Sequence, residues 1–214
     1  MRIPKHIGII PDGNRRWAVN NGLQKDEGYE NGINPGLSAY RQCRDIGAQE
    51  VTFYGFTTDN TKRPSYQAKA FTKACVEAAN ILVNEGASLL VVGNTSSPMF
   101  PKELEKYTTR TEGKKGEIKA NLLVNYGWHW DLCNLSQGDN LKKDDIHKNI
   151  QSNEISRLDL IIRWGGRNRL SGFLPVQSIY ADFYTIDDYW PDFKNNHIND
   201  AINWYDKQDI TLGG

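Results

Sequence analysis

The sequence predicts an α/β protein, a single-domain, open, mainly parallel sheet of about six strands flanked by helices. Three observations point there. Short runs of aliphatic and β-branched residues recur along the chain, as in Ile7-Gly-Ile-Ile10 and Ser88-Leu-Leu-Val-Val92, without the polar alternation of a water-facing strand. Between them lie stretches with helical spacing of apolar residues, the pattern of parallel strands joined by right-handed crossovers. The 214 residues contain no internal repeat and no linker, which fits one core.

The elements follow in order. Ile7–Ile10 is a strand buried on both faces, ended by Pro11, and Asp12-Gly13-Asn14 forms the turn beyond it. A helix starting near Tyr29 or Pro35 runs to Ile46, turns Leu37, Tyr40 and Ile46 inward, and is capped by Gly47. Val51–Tyr54 is the second strand. Pro64 opens a long helix to about Asn84, with Phe71, Cys75, Ala78, Ala79 and Leu82 on one apolar face. Ser88–Val92 and Lys119–Tyr126 read as strands, with a short helix at Lys102–Tyr107 between them and another through Leu135 afterwards. A charged loop at Asp139–Asp145 leads to a helix near Ile146–Gln151 and a strand at Leu158–Ile162. A helical stretch from Phe173, a strand near Asp182–Ile186 and a helix at Phe193–Tyr205 complete the chain.

Composition excludes several classes. With 26 basic and 26 acidic residues the net charge is zero, which argues against a non-specific nucleic-acid binder. No apolar run approaches the roughly 20 residues of a membrane span. The start, MRIPKH, passes straight into the first strand, so no signal peptide is expected. Three dispersed cysteines, Cys43, Cys75 and Cys133, suggest a reduced, cytoplasmic protein without a disulfide framework. No histidine or cysteine spacing suits zinc.

Polar residues collect at three strand exits, Asp12–Arg16, Thr57–Arg63 and Arg163–Ser171. In a parallel sheet those exits share one edge, where ligands of open α/β sheets bind. A carboxylate there can hold a metal, glycine admits backbone N–H groups to an anion, and arginine grips phosphate oxygens bidentately. One such exit by itself is an ordinary turn. Three together point to a site for a polyanion or a Mg²⁺-phosphate ligand, with one diphosphate near Asp12–Arg16 and another near Arg163, Arg169 and Ser171. No Gly-x-x-x-x-Gly-Lys loop of a nucleotide binder is present.

The same residues carry a family resemblance. Asp-Gly-Asn-x-Arg-Trp at 12–17, Phe-Thr-Thr-Asp-Asn-x-x-Arg-Pro at 56–64 and Asn-Tyr-Gly at 125–127 resemble cis-prenyltransferases, the undecaprenyl diphosphate synthase family. So do Ile-Arg-x-Gly-Gly-x-x-Arg-Leu-Ser at 162–171, Tyr-Ala-Asp at 180–182 and Trp-Pro-Asp-Phe at 190–193. The motifs stand in family order over nearly the whole chain. The resemblance implies the cis-prenyltransferase fold, Mg²⁺ as cofactor, isoprenyl diphosphates as substrates and a homodimer. It implies that Asp12 binds Mg²⁺ with Asp182, which stands where the family has Glu. Gly13, Asn14 and Arg16 would hold the allylic diphosphate. Asn60 and Arg63 would help ionisation or diphosphate binding, and Arg163, Arg169 and Ser171 would grip the second diphosphate. Asp12, Arg16 and Asn60 are thus the catalytic candidates, and Trp17, Tyr29, Phe56, Phe71 and Trp164 are candidates to line an apolar pocket that excludes water.

The chain departs from the family pattern at informative places. Arg15 replaces a small glycine, Lys25 an arginine and Tyr29 a histidine. Thr61 replaces an aromatic residue, Gln67 an acid and Arg167 a glutamate, and Trp164 occupies a small-residue position. Pro175 interrupts the stretch after Ser171. Similar departures resemble the irregular branch, the lavandulyl- and cyclolavandulyl-type diphosphate synthases, which join two dimethylallyl diphosphates, or one with a longer allylic partner, head to middle to give a branched or cyclised diphosphate. The alternatives are an ordinary short-chain synthase using isopentenyl diphosphate, or a cyclase or hydrolase of one prenyl diphosphate. A catalytically silent partner subunit is disfavoured by the retained Asp12 and both arginine groups.

Overall fold

A computed structural model describes residues 1–62, 64–133, 135 and 143–209. Its centre is β1 (His6–Ile10), whose five residues are all buried. Alternate side chains of β1 enter two different cores. Ile7 and Ile9 meet one helical layer, while Ile10 joins Tyr54, Leu123, Leu158, Ile161 and Phe173 on the other face. Gly8 is required by that second face, because a Cβ there would stand 2.6 Å from the Phe173 ring.

The chain continues through α1 (Asn14–Asn20), α2 (Glu27–Glu30), α3 (Ile33–Asp45) and β2 (Glu50–Tyr54). After a 3₁₀ turn at Thr58–Lys62 come α4 (Ser65–Glu85), β3 (Ser88–Val92), a 3₁₀ turn at Lys102–Tyr107 and β4 (Lys119–Leu123). Then follow α5 (Trp128–Asp131), α6 (Lys143–Lys148), β5 (Leu160–Arg163), β6 (Asp182–Thr185), a 3₁₀ turn at Trp190–Asp192 and α7 (Asn195–Tyr205). The six strands form one sheet in the order β3-β4-β2-β1-β5-β6, and every pairing is parallel. From β1 the chain adds β2, passes to the edge strand β3, returns to insert β4 between them, and then crosses to the other side of β1 for β5 and β6. The reversal beside β1 opens a crevice at the carboxyl ends of β1, β2 and β5.

Several predicted elements change. Lys119–Tyr126 is a strand only to Leu123, because Asn125 takes a left-handed backbone (φ 52°) and Tyr126 forms just an isolated bridge with Thr57. The helix expected after Tyr126 is the single turn of α5. No helix forms from Phe173. Ser171, Gly172 and Leu174 all have positive φ, and Pro175 disfavours the helical conformation of the residue before it. Tyr29 belongs to the separate short α2, and α3 begins at Ile33. The 139–142 part of the predicted charged loop lies outside the described residues.

One site prediction is overturned by strand register. Asp182 pairs with Leu160, which pairs with Ile7, so Asp182 stands at the amino end of the sheet. Asp12 lies five residues beyond Ile7 at the carboxyl end, on the order of 15 Å away along the strand direction. Asp182 instead meets Arg2 Nη2 at 3.5 Å. Within this chain the two carboxylates do not share a metal.

The amino end of the sheet holds a buried polar network. His6 Nε2 lies 2.8 Å from Thr52 Oγ1, and its Nδ1 lies 3.0 Å from the Ser156 carbonyl. Asn121 Nδ2 donates to Glu50 Oε1 (2.6 Å), and Ser156 Oγ donates to Glu50 Oε2 (2.7 Å). Burial lowers the pKa of His6 below its ordinary 6.5 despite the attraction of Glu50. The unfolded chain therefore binds a proton that the folded chain refuses, and stability is lost as pH falls through about 6.5. Elsewhere, Cys43 and Cys75 are buried thiols pushed up to about 12 by desolvation, and none of the three cysteines forms a disulfide. Among the described residues no helix is long and apolar enough to cross a membrane. His6→Gln should flatten the loss of urea-unfolding midpoint between pH 6.5 and 5 relative to the unsubstituted chain. The difference between the two slopes isolates His6 from His197, whose pKa burial also lowers. Equal slopes would remove His6 from the account.

Candidate active site

The site grows from the end of β1. Asp12 leaves the strand, and Gly13, at φ 106°, turns the chain into α1. Only glycine fits, since a Cβ would also meet the Tyr189 ring at 2.6 Å. The turn brings Arg16 back over Asp12, with Nη2 3.4 Å from Oδ1 and the guanidinium 4.9 Å from the centre of the Tyr189 ring. From β5, Arg163 Nη2 donates to Asp12 Oδ2 at 2.8 Å. Its Nη1 donates to Ser171 Oγ (2.9 Å) and to the Arg169 carbonyl. Tyr54, the last residue of β2, donates its hydroxyl to the Ser171 carbonyl at 2.9 Å. The Asp12–Arg163 ion pair thus ties the exit of β1 to that of β5, and the Tyr54–Ser171 hydrogen bond ties the exit of β5 to that of β2.

The segment after β6 supports these loops from below. Gly165 N–H donates to the Asp188 carbonyl (2.9 Å), and Trp190 N–H donates to the Asp12 carbonyl (3.0 Å). Gly165, at φ 84°, takes a left-handed backbone that a side chain would strain, and a Cβ there would stand 2.5 Å from Arg16 Nη2 and displace it.

Above the loops lies a cleft of about 680 Å³. Six cationic side chains line it (Arg15, Arg16, Lys25, Arg163, Arg167 and Arg169) against two carboxylates, Asp12 and Asp59. That excess suits a polyanion rather than a neutral ligand. Burial alone would raise the Asp12 pKa, but the Arg163 hydrogen bond and the charges of Arg163 and Arg16 hold it below the ordinary carboxylate value. The carboxylate is therefore ionised near neutral pH. Gly13, Asn14, Tyr29, Asn60 and Ser171 also line the cleft, so most of the sequence-predicted residues converge. Asn60 is buried and hydrogen-bonds through Nδ2 to Thr57 Oγ1.

Three further predicted residues lie outside the cleft lining. Trp164 is fully buried beneath the site, edge-on to Trp190 (4.7 Å, 85°), and donates its indole N–H to His197 Nδ1 at 3.1 Å. Its backbone follows Arg163, so its side chain takes the opposite face of the strand. Trp17 donates its indole N–H to Asp192 Oδ1 at 2.7 Å and is absent from the cleft lining. Phe56 is likewise fully buried in the core. Arg63 lies outside the described residues. Conversely, Tyr54, Arg167 and Tyr189 join the lining although they were not among the predicted site residues. Tyr54 had a signal, since it is the last residue of a strand whose exit was already implicated. Tyr189 had none, because its position depends on the path after β6.

A second, apolar pocket of about 80 Å³ adjoins the cleft between α3, α4 and the sheet, lined by Ile33, Leu37, Phe53, Ile81, Leu82 and Leu122 among others. Asn14, Tyr29 and Phe71 line both spaces. The polar cleft and the apolar pocket are thus distinct spaces that share part of their walls.

For a metal, the donor chemistry is limited but suitable. Asp12 offers an ionised carboxylate whose Oδ1 is held only loosely by Arg16. Mg²⁺ commonly binds through one or two carboxylates plus substrate phosphates and water, so one acid beside a diphosphate site fits. Among the described residues there is no cluster of three or more His, Cys, Asp or Glu able to hold a metal by protein groups alone.

Comparison with known proteins agrees with this arrangement. Residues 10–213 match the family model described as putative undecaprenyl diphosphate synthase. An isoprenyl transferase of Streptococcus thermophilus is 33% identical over 99% of this chain and 94% of its own length. A ditrans,polycis-undecaprenyl-diphosphate synthase of Haemophilus influenzae is 30% identical over 99% of this chain and 96% of its own length. In fold, the crystal structure of lavandulyl diphosphate synthase from Lavandula x intermedia, in complex with dimethylallyl diphosphate, superposes with a TM-score of 0.86. It covers 99% of this chain and 98% of that one at 21% identity. A cleft built at the carboxyl end of a six-stranded parallel sheet, and motifs shared along nearly the whole length, place this chain in the undecaprenyl diphosphate synthase family of cis-prenyltransferases.

Proposed function

We propose that this enzyme condenses two short isoprenyl diphosphates, and that it couples dimethylallyl diphosphate head to middle to give a branched, lavandulyl-type diphosphate. The observation that carries the short-chain part is the pairing of a large cationic cleft with an apolar pocket of only about 80 Å³. A cavity of roughly 150 Å³ admits a benzene ring, so an apolar volume of about 80 Å³ leaves no room for a tail of several isoprene units. Irregular coupling is favoured by the replacements at Tyr29 and Arg167, which shift the cleft from imidazole and acid toward phenol and guanidinium. The dimethylallyl diphosphate bound to the structurally similar lavandulyl diphosphate synthase supports the same substrate.

In this reading Arg16 and the Gly13–Asn14 backbone hold the diphosphate of the ionising substrate. The C1–O bond breaks and its electron pair leaves with diphosphate. Asp12 would hold Mg²⁺, which when bound would supply charge neutralisation for the departing diphosphate. Arg169 and Ser171 hold the second diphosphate, and the double bond of that substrate attacks C1 through its C2. The resulting tertiary cation loses a methyl proton to give the branched alkene, with diphosphate and a proton as the other products. Tyr29 and Phe71 screen the cation from water. Arg163, being 4% exposed, orients Asp12 and the Ser171 loop rather than presenting its guanidinium to the cleft as a whole. A homodimer in the cytoplasm accompanies this reading.

A second reading is ordinary elongation with isopentenyl diphosphate, favoured by the names of the Streptococcus and Haemophilus relatives. Incubation with Mg²⁺ and dimethylallyl diphosphate, with and without isopentenyl diphosphate, separates the two. A branched C10 diphosphate is expected from dimethylallyl diphosphate alone, and product formed only when isopentenyl diphosphate is added would replace the first reading by the second. Chelation of Mg²⁺ should abolish turnover, and its return should restore it. Asp12→Asn should lower kcat about 10²–10³-fold with a much smaller change in KM, because the interaction strengthens as charge develops. Equal losses in both would assign Asp12 to ground-state binding.

A further inference from the structure

Arg16 is held differently from Arg163, its neighbour on Asp12. Arg163 meets the carboxylate at 2.8 Å, and its side chain is only 5% exposed. Arg16 reaches the same carboxylate at 3.4 Å, longer than a charge-assisted hydrogen bond, and its side chain is 37% exposed. A long side chain paired so loosely has rotamer freedom that costs free energy to remove when a ligand binds. Its second contact is an aromatic ring. The guanidinium carbon lies 4.9 Å from the centre of the Tyr189 ring, within the range at which a cation is drawn to the negative face of an aromatic group.

That ring is anchored to the exits of both β1 and β5. Before it in the chain, the Asp188 carbonyl accepts from Gly165 N–H, and the Asp188 carboxylate is tied to Lys194 at 2.7 Å and to His197 at 3.1 Å. After it, Trp190 N–H donates to the Asp12 carbonyl. The ring lies directly on the Gly13 turn and lines the cleft beside Arg16.

Resting on the reading above, in which Arg16 holds the diphosphate of the ionising substrate, we infer that Tyr189 is a positioning residue for Arg16. Its ring face is the platform that keeps the guanidinium over the first diphosphate site. The form of the contact matters. A ring contact consumes no N–H donor, so Arg16 keeps it while its N–H groups turn from Asp12 to phosphate oxygens. An arginine paired to Asp12 alone would have to give up its only anchor in order to bind. The two arginines thus divide the work, Arg163 being fixed to the acid and Arg16 being steadied by a ring and left free to donate.

Calorimetric titration with unreactive dimethylallyl thiolodiphosphate and Mg²⁺ tests this, following the binding phase that Arg16→Gln weakens. Tyr189→Leu should weaken that phase about three- to tenfold, and Tyr189→Phe should leave it within about twofold, because the ring and not the hydroxyl makes the contact. Pentafluorophenylalanine in place of Tyr189 should behave like the Leu variant, since fluorine withdraws the negative charge of the ring face while the ring still packs on the Gly13 turn. In the Arg16→Gln background the Tyr189→Leu loss should vanish. A Phe variant as weak as the Leu variant, a pentafluoro variant as strong as Phe, or a Leu loss that persists without Arg16 would overturn the inference and leave Tyr189 as packing for the turn. Should the Leu variant not fold, the two ring variants still decide the matter. If Arg16→Gln leaves every binding phase unchanged, the reading of Arg16 as a diphosphate ligand fails and this inference with it. If Arg16→Gln weakens binding and Tyr189→Leu does not, only the positioning role fails.

Discussion

The arrangement depends on the ion pair between Asp12 and Arg163. Arg163 ends β5 in register with Ile10, the last residue of β1, and its side chain meets that of Asp12, two residues further on, at 2.8 Å. Arg163 is almost wholly removed from water, which is costly for a cation unless paired and hydrogen-bonded. Asp12, Ser171 and the Arg169 carbonyl together provide those partners. The same contact that neutralises the buried guanidinium also keeps the carboxylate ionised and aimed at the cleft. Structure and chemistry therefore share one interaction, and the three polar exits become one site because of it.

Much of this was legible in the chain because parallel sheets impose simple rules. Apolar runs such as Ile7–Ile10 must be central strands, and their carboxyl ends must lie together, so Asp12 and Arg163 had to be neighbours. Side-chain direction was less legible. Trp164 follows Arg163 directly, yet strand alternation sends it into the core, and a motif read as a string gives both residues to the ligand. Asp182 failed for a related reason. It begins a strand, and only the register with Leu160 and Ile7 shows that it lies at the far end of the sheet. The stretch after Ser171 misled because its apolar residues suggest a helix, while the run of positive φ angles needed to return the loop toward β5 is not a spacing signal.

The two compartments divide the chemistry by polarity. Charged groups come from loops at strand ends, where backbone turns and glycines allow close approach. Apolar walls come from α3 and α4, whose small residues Gly36, Ala74 and Ala78 leave room against the sheet. A cation formed at the boundary would sit between a fixed anionic leaving group on one side and aromatic rings on the other. That arrangement separates departure of the head group from access by water.

Trp190 ties these compartments to each other. Its backbone N–H holds the Asp12 carbonyl, its indole N–H donates to the Gly32 carbonyl at 2.8 Å, its ring braces Trp164, and it forms part of the tail pocket. One residue thereby joins the wall of the apolar pocket to the turn that carries Asp12. A change of pocket shape made at Trp190 would move Asp12 as well, whereas one made on α4 would not act through that contact.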